Sequence, residues 1–170
     1  MRTFTRSFAL AVFPVLAAVV GLAGCASESP MTVGTVSLAV IPGADHGGRP
    51  FSTILTQEVT TQPVWAGDPD GAGSALITVN LGQREICWDV SVSAISLPAT
   101  ASHIHRAAPG VRGAIVVGLT APNAAGTSRG CTSGLDADLL REILQSPEAF
   151  YVNVHNAPYP AGAVRGQLAE

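Results

Sequence analysis

The sequence predicts an all-β domain, an antiparallel Greek-key β-sandwich or barrel with one short helix, behind an export leader. Three observations carry this reading. Short segments rich in β-branched residues recur along the chain. Turn residues separate them at intervals of about 8–12 positions, the spacing of antiparallel sandwiches and barrels. Only one segment shows apolar residues at helical spacing.

The leader comes first. Arg2 and Arg6 precede an apolar run from Phe8 to Leu22 that contains Pro14. The run is shorter than the roughly 20 residues a spanning helix needs, and its parts are those of a secretory signal over residues 1–24. It ends in Leu22-Ala23-Gly24-Cys25, which resembles a bacterial lipobox. That resemblance implies cleavage before Cys25 and lipidation of its sulfur, so the mature protein is expected in the cell envelope, outside the cytoplasm, on a membrane lipid anchor. Several acyl chains, at about 0.8 kcal/mol per buried CH₂, give durable attachment. Residues 25–31 then form a short tether of small and polar residues.

The remainder, residues 32–170, suits one domain with a real core. Of the whole chain, 47% is hydrophobic and 12% charged, which argues against general disorder. All nine basic residues are arginine; without Arg2 and Arg6, seven face twelve acidic residues, a net charge near −5. Such a balance leaves no basic face for nucleic acid.

Alternation predicts a first strand over 32–40, and turn residues predict a loop over 41–50. Residues 51–61, rich in Thr, Ile and Val, form the next expected strand. Asp68-Pro69-Asp70-Gly71 marks a turn within 65–73. Residues 74–81 and 85–95 form an expected hairpin around Gly82-Gln83, closed by Pro98. Two short strands follow over 101–106 and 114–119, split by Ala107-Ala108-Pro109-Gly110. Residues 136–145 place Leu139, Leu140, Ile143 and Leu144 on one helical face, with Ser133 or Asp136 as cap and Pro147 beyond the end. Tyr151 to His155 is a strand whose period of two puts Tyr151, Asn153 and His155 on one face and Val152 and Val154 on the other. Pro158, Pro160 and Gly162 break it, and 163–168 pairs back.

Cys87 and Cys131 remain after Cys25. An even pair outside the cytoplasm is a disulfide candidate, with two buried free thiols as the alternative. The expected bond joins a strand at Cys87 to the loop before the helix at Cys131, a closure of roughly 4 kcal/mol on the chain-entropy model.

The chemistry-bearing stretches are Ser102-His103-Ile104-His105-Arg106-Ala107-Ala108-Pro109-Gly110-Val111-Arg112-Gly113-Ala114, then Tyr151-Val152-Asn153-Val154-His155, then Pro160-Ala161-Gly162-Ala163-Val164-Arg165-Gly166-Gln167-Leu168. Together they resemble the chordin-domain (CHRD) family, bacterial members included. The resemblance spans about 32–168 and departs at Ala163, where the family often has an acidic residue, and at Asn156, where Thr is usual. It implies an extracellular β-rich domain with no established catalytic activity. His-x-His on one strand, with Val-His on a later one, is also similar in order to the copper ligands of Cu/Zn superoxide dismutases. No bridging histidine or zinc-ligand set lies between His105 and His155, which argues against dismutase activity.

Period two puts His103 and His105 on one strand face, and His155 is positioned to approach them. Three imidazoles suit copper or zinc; they equally suit a hydrogen-bonded cluster with Asn153 and Arg165, or general acid–base work. Arg165 reads as an anion-steering group, an ion-pair partner or a backbone ligand. Trp88 reads as core and Trp65 as a partly covered loop residue, while Asp45 and His46 read as turn residues. Nucleophile elbows, catalytic carboxylate pairs and phosphate loops are absent. The expected function is a non-enzymatic envelope module that contacts a protein or glycan; the alternative is a metalloprotein holding copper or zinc on His103, His105 and His155.

Overall fold

The computed structural model describes residues 47–61 and 63–169. The leader, Cys25, the tether, the strand expected over 32–40, Asp45 and His46 lie outside the described residues. Ten strands follow in order: β1 (Arg49–Gln57), β2 (Val59–Thr61), β3 (Val64–Ala66), β4 (Ala72–Asn80), β5 (Glu85–Ser93), β6 (Ala101–Arg106), β7 (Ala114–Leu119), β8 (Thr127–Thr132), β9 (Phe150–His155) and β10 (Val164–Gln167). The helix α1 (Ala137–Gln145) stands between β8 and β9. Eight strands form one antiparallel sheet in the order β7-β6-β9-β10-β1-β4-β5-β8, curled into a nearly closed barrel, and β2-β3 form a separate small hairpin.

β1 joins the two halves of the sheet. It pairs with β4 from Arg49 to Leu55, then passes to β10 at Thr56 and Gln57. The single strand expected over 51–61 is therefore interrupted at Glu58. There the backbone N–H donates to Ala163 O (3.1 Å), the carbonyl accepts from Gly67 N (2.7 Å), and the side chain turns inward. The region around Trp65, expected as loop, contributes β3. The hairpin expected around Gly82-Gln83 is β4-β5, and the strands expected over 101–106 and 114–119 are β6 and β7.

Inside the barrel, Phe51, Leu55, Ile77, Ile86, Ile104 and Val152 are almost wholly buried, with Trp88 among them as expected. The Trp88 Nε1–H donates to Ser128 Oγ (3.1 Å), so the indole is buried with its polar atom satisfied. Leu140 and Ile143 of α1 join this core, and the helix covers one end of the sheet. Asp136 caps α1, its carboxylate accepting from Asp138 N (2.7 Å) and Leu139 N (3.1 Å).

A further expectation overturned concerns Cys131, expected in the loop before the helix. It lies on β8, directly opposite Cys87 of β5, and the two form a disulfide with Cα atoms 4.0 Å apart. β8 reads Thr-Ser-Arg-Gly-Cys-Thr, without an alternating apolar pattern, because it is an edge strand that lends backbone more than side chains to the fold. The bond therefore ties an edge strand to its neighbour, and not a loop to the sheet.

A histidine cluster at a covered sheet face

β6 and β9 are neighbours in register, with His103 opposite Asn153, His105 opposite Tyr151 and Ala101 opposite His155. Alternation then puts His103, His105, Tyr151, Asn153 and His155 on one face, away from Val152 and Val154 in the core. The structure brings together the three histidines singled out from the sequence. His103 Nδ1 lies 3.2 Å from His155 Nε2, and one ligand atom from each ring falls within 4.8 Å of the others.

Two of the rings are held from outside. His105 Nδ1 is 3.0 Å from Gly113 O, and His155 Nδ1 is 3.2 Å from Pro160 O. A carbonyl oxygen can only accept, so these two contacts put the proton of each neutral ring on Nδ1. The Nε2 lone pairs of both rings then point inward. Each also lies 3.1 Å from Asn153 Oδ1, whose amide nitrogen donates to Glu58 Oε2 (3.1 Å). Burial holds all three imidazoles below the usual value of 6.5, helped at His103 by neighbouring His105. His155 falls furthest, to about 4, through burial and the adjacent His103. At neutral pH the rings are therefore uncharged.

The surroundings fix this cluster in place. His105 stacks on Tyr151 with centroids 4.7 Å apart, and the Tyr151 hydroxyl accepts from Gly113 N (3.3 Å). Arg165, on the neighbouring β10, covers the Tyr151 ring at 3.3 Å. Its guanidinium donates to Val111 O (2.7 Å) and Ala108 O (2.9 Å), so it is a backbone ligand for the loop carrying Gly113. Trp65 is partly covered and donates to Gly162 O (2.8 Å). A cleft of about 270 Å³ opens beside the cluster, lined by Glu58, His105, Arg112, Tyr151, Asn153 and His155 among others.

Glu58 is the site residue that sequence reasoning missed. It sits in no motif and is fully buried, with Oε1 unpaired and its carboxyl pushed above the usual range by burial. A single Glu between two Thr- and Val-rich segments carries no local mark of such a role. Tyr151 and Arg112 lay inside the motifs, yet only the fold shows them at the cleft. A second acidic-sulfur group, Glu85 with Cys87 and Cys131, offers no thiolate because its sulfurs are bonded to each other.

Among comparisons with known proteins, neither a curated protein nor a solved structure gave a match. The family model of the CHRD domain matches residues 51–168, well over half of the 170 residues and all of the strands around the cluster. The chain belongs to the CHRD domain family.

Proposed function

We propose that this is a non-enzymatic binding domain of the cell envelope, held outside the cytoplasm by a lipid on Cys25, that captures one copper or zinc ion on His103, His105 and His155. The observation that carries this reading is the set of inward lone pairs. Two imidazoles donate their Nδ1–H to backbone carbonyls and keep bare Nε2 atoms, that of His155 lying 3.2 Å from His103 Nδ1, with one ligand atom from each of the three rings within 4.8 Å of the others. Metal-bound histidines are held in this manner, with the non-ligating nitrogen donating to a carbonyl or carboxylate. Because the rings are neutral, an ion has no protons to displace at pH 7.

The test is isothermal titration of chelator-treated mature protein with Cu(II) and Zn(II), paired with metal analysis. One equivalent should bind, and His105→Ala should lose it while keeping the circular dichroism spectrum. No uptake at micromolar metal would end the metal reading. Anchoring is tested separately: labelled lipid should appear on the protein and vanish in Cys25→Ala.

A second reading is favoured by the β2-β3 hairpin beside the cleft, where Val59 and Val64 are 54% and 86% exposed. These side chains suit contact with another envelope protein more than with a glycan. A photo-crosslinker at position 64 that captures nothing in intact cells would remove this reading.

A further inference from the structure

We infer that the Asn153 amide oxygen is the fourth donor of the site, closing a tetrahedral set of three imidazole nitrogens and one oxygen; this rests on the metal reading above. Tetrahedral Zn(II) with bonds of about 2.0–2.1 Å has ligand atoms about 3.3–3.4 Å apart. Three such edges are already formed: His103 Nδ1 to His155 Nε2 at 3.2 Å, and Asn153 Oδ1 to Nε2 of both His105 and His155 at 3.1 Å.

In the metal-free protein the His103–His155 edge is an ordinary hydrogen bond, from His103 Nδ1–H to the bare His155 Nε2, but hydrogen bonding to the amide as placed does not account for the two edges at Asn153 Oδ1. A neutral imidazole has one N–H. If His105 and His155 gave theirs to Asn153 Oδ1, their Nδ1 lone pairs would face the Gly113 and Pro160 carbonyls at 3.0 and 3.2 Å. If they gave them to the carbonyls, two bare nitrogens would face the amide oxygen. With the amide as placed, acceptors confront acceptors either way, and one cation at the centre relieves the conflict. Reversing the amide would relieve it without a metal only if Glu58 Oε2, which now accepts from Asn153 Nδ2 at 3.1 Å, carried a proton to give to the amide oxygen.

Asn153 is well placed for this work. It is 1% exposed, its own backbone carbonyl accepts from Ser102 Oγ (3.0 Å), and β10 pairs it with Arg165. Four protein donors leave no position for water or substrate, so the site is of the closed kind that holds an ion, unlike catalytic zinc sites with their open fourth position. Imidazole and amide donors in tetrahedral array suit Zn(II) better than Cu(II), which prefers tetragonal geometry.

Co(II) is the spectroscopic probe, added to the chelator-treated mature protein. The wild type should show an intense visible band of four-coordinate Co(II), unchanged by azide. Asn153→Ala should bind Co(II) at least about tenfold more weakly, with a band that azide shifts, because a water now occupies the fourth position. Asn153→Asp, which restores an oxygen donor, should be azide-insensitive again. Co(II) binding to the wild type with an azide-sensitive band would overturn the fourth donor while leaving the three-histidine site standing. Failure to bind Co(II) or Zn(II) at all would overturn both.

Discussion

Arg165 ties the fold to the site, and Arg165→Met isolates its contribution. Methionine keeps an apolar stem over Tyr151 and removes the guanidinium. Two charge-assisted hydrogen bonds to the loop, to Val111 O (2.7 Å) and Ala108 O (2.9 Å), are lost, along with a third to the partly exposed Gln167 Oε1 (3.1 Å), whose oxygen water can serve instead. Each is worth about 1.5–3 kcal/mol, and partial access of water to the loop carbonyls argues for the low end, about 3 kcal/mol for the pair. Loss of the cation stacked 3.3 Å over Tyr151 adds about 1 kcal/mol, and the methionine–aromatic contact returns a similar amount. The net cost should be about 3 kcal/mol, read from urea denaturation of the metal-free protein. Arg165→Lys should recover less than half, because an ammonium cannot span both carbonyls as the planar fork does. The loop released is the one whose Gly113 carbonyl holds His105, so Zn(II) affinity should fall about tenfold or more. A cost under about 1 kcal/mol, or full recovery by lysine, would refute this account of Arg165.

Gly162→Ala should destabilise the domain by at least about 3 kcal/mol, since φ is +131° and an added Cβ would sit 1.7 Å from Glu58 Oε2. Adding Glu58→Ala should restore part of the loss in thermal melts; melting like the wild type would contradict the contact. Replacing Cys87 and Cys131 by alanine should lower stability by about 2–4 kcal/mol, from release of a closure spanning 44 positions, and unchanged denaturation would disprove that contribution. The folded-state values of the three imidazoles lie below 6.5, so the unfolded chain binds protons that the folded protein refuses. Metal-free stability should therefore be complete above pH 6.5 and fall toward pH 4. Glu58, raised above 4.5, acts in the opposite sense: its contribution is present below pH 4.5 and lost as pH rises. A Glu58→Gln background removes that opposition. There, His155→Gln should flatten the acid loss by about 1–2 kcal/mol after allowing for solvent screening of a partly covered ring, and identical pH profiles would exclude the role given to His155.

Much of the architecture was legible along the chain because its causes are local. Period-two alternation, turn residues and one stretch of helical spacing mark β4 to β7, α1, β9 and β10 with small errors at their ends. β8 escaped because an edge strand of small polar residues has no apolar alternation to betray it, and with it went the true position of Cys131. Glu58 as a break between β1 and β2 escaped because the reason for the break, a backbone pairing with Ala163, lies more than a hundred residues away.

By itself the sequence determined an all-β body, a plausible bond between Cys87 and Cys131, and histidines of one strand sharing a face. Only the tertiary structure decided that β6 and β9 run side by side, that Gly113 and Pro160 orient two of the rings, and that Asn153 and Glu58 stand behind them. The physical reason is that side-chain direction along a strand follows from local stereochemistry. The convergence of lone pairs depends on register and loop closure, which are set by contacts between segments far apart in the chain.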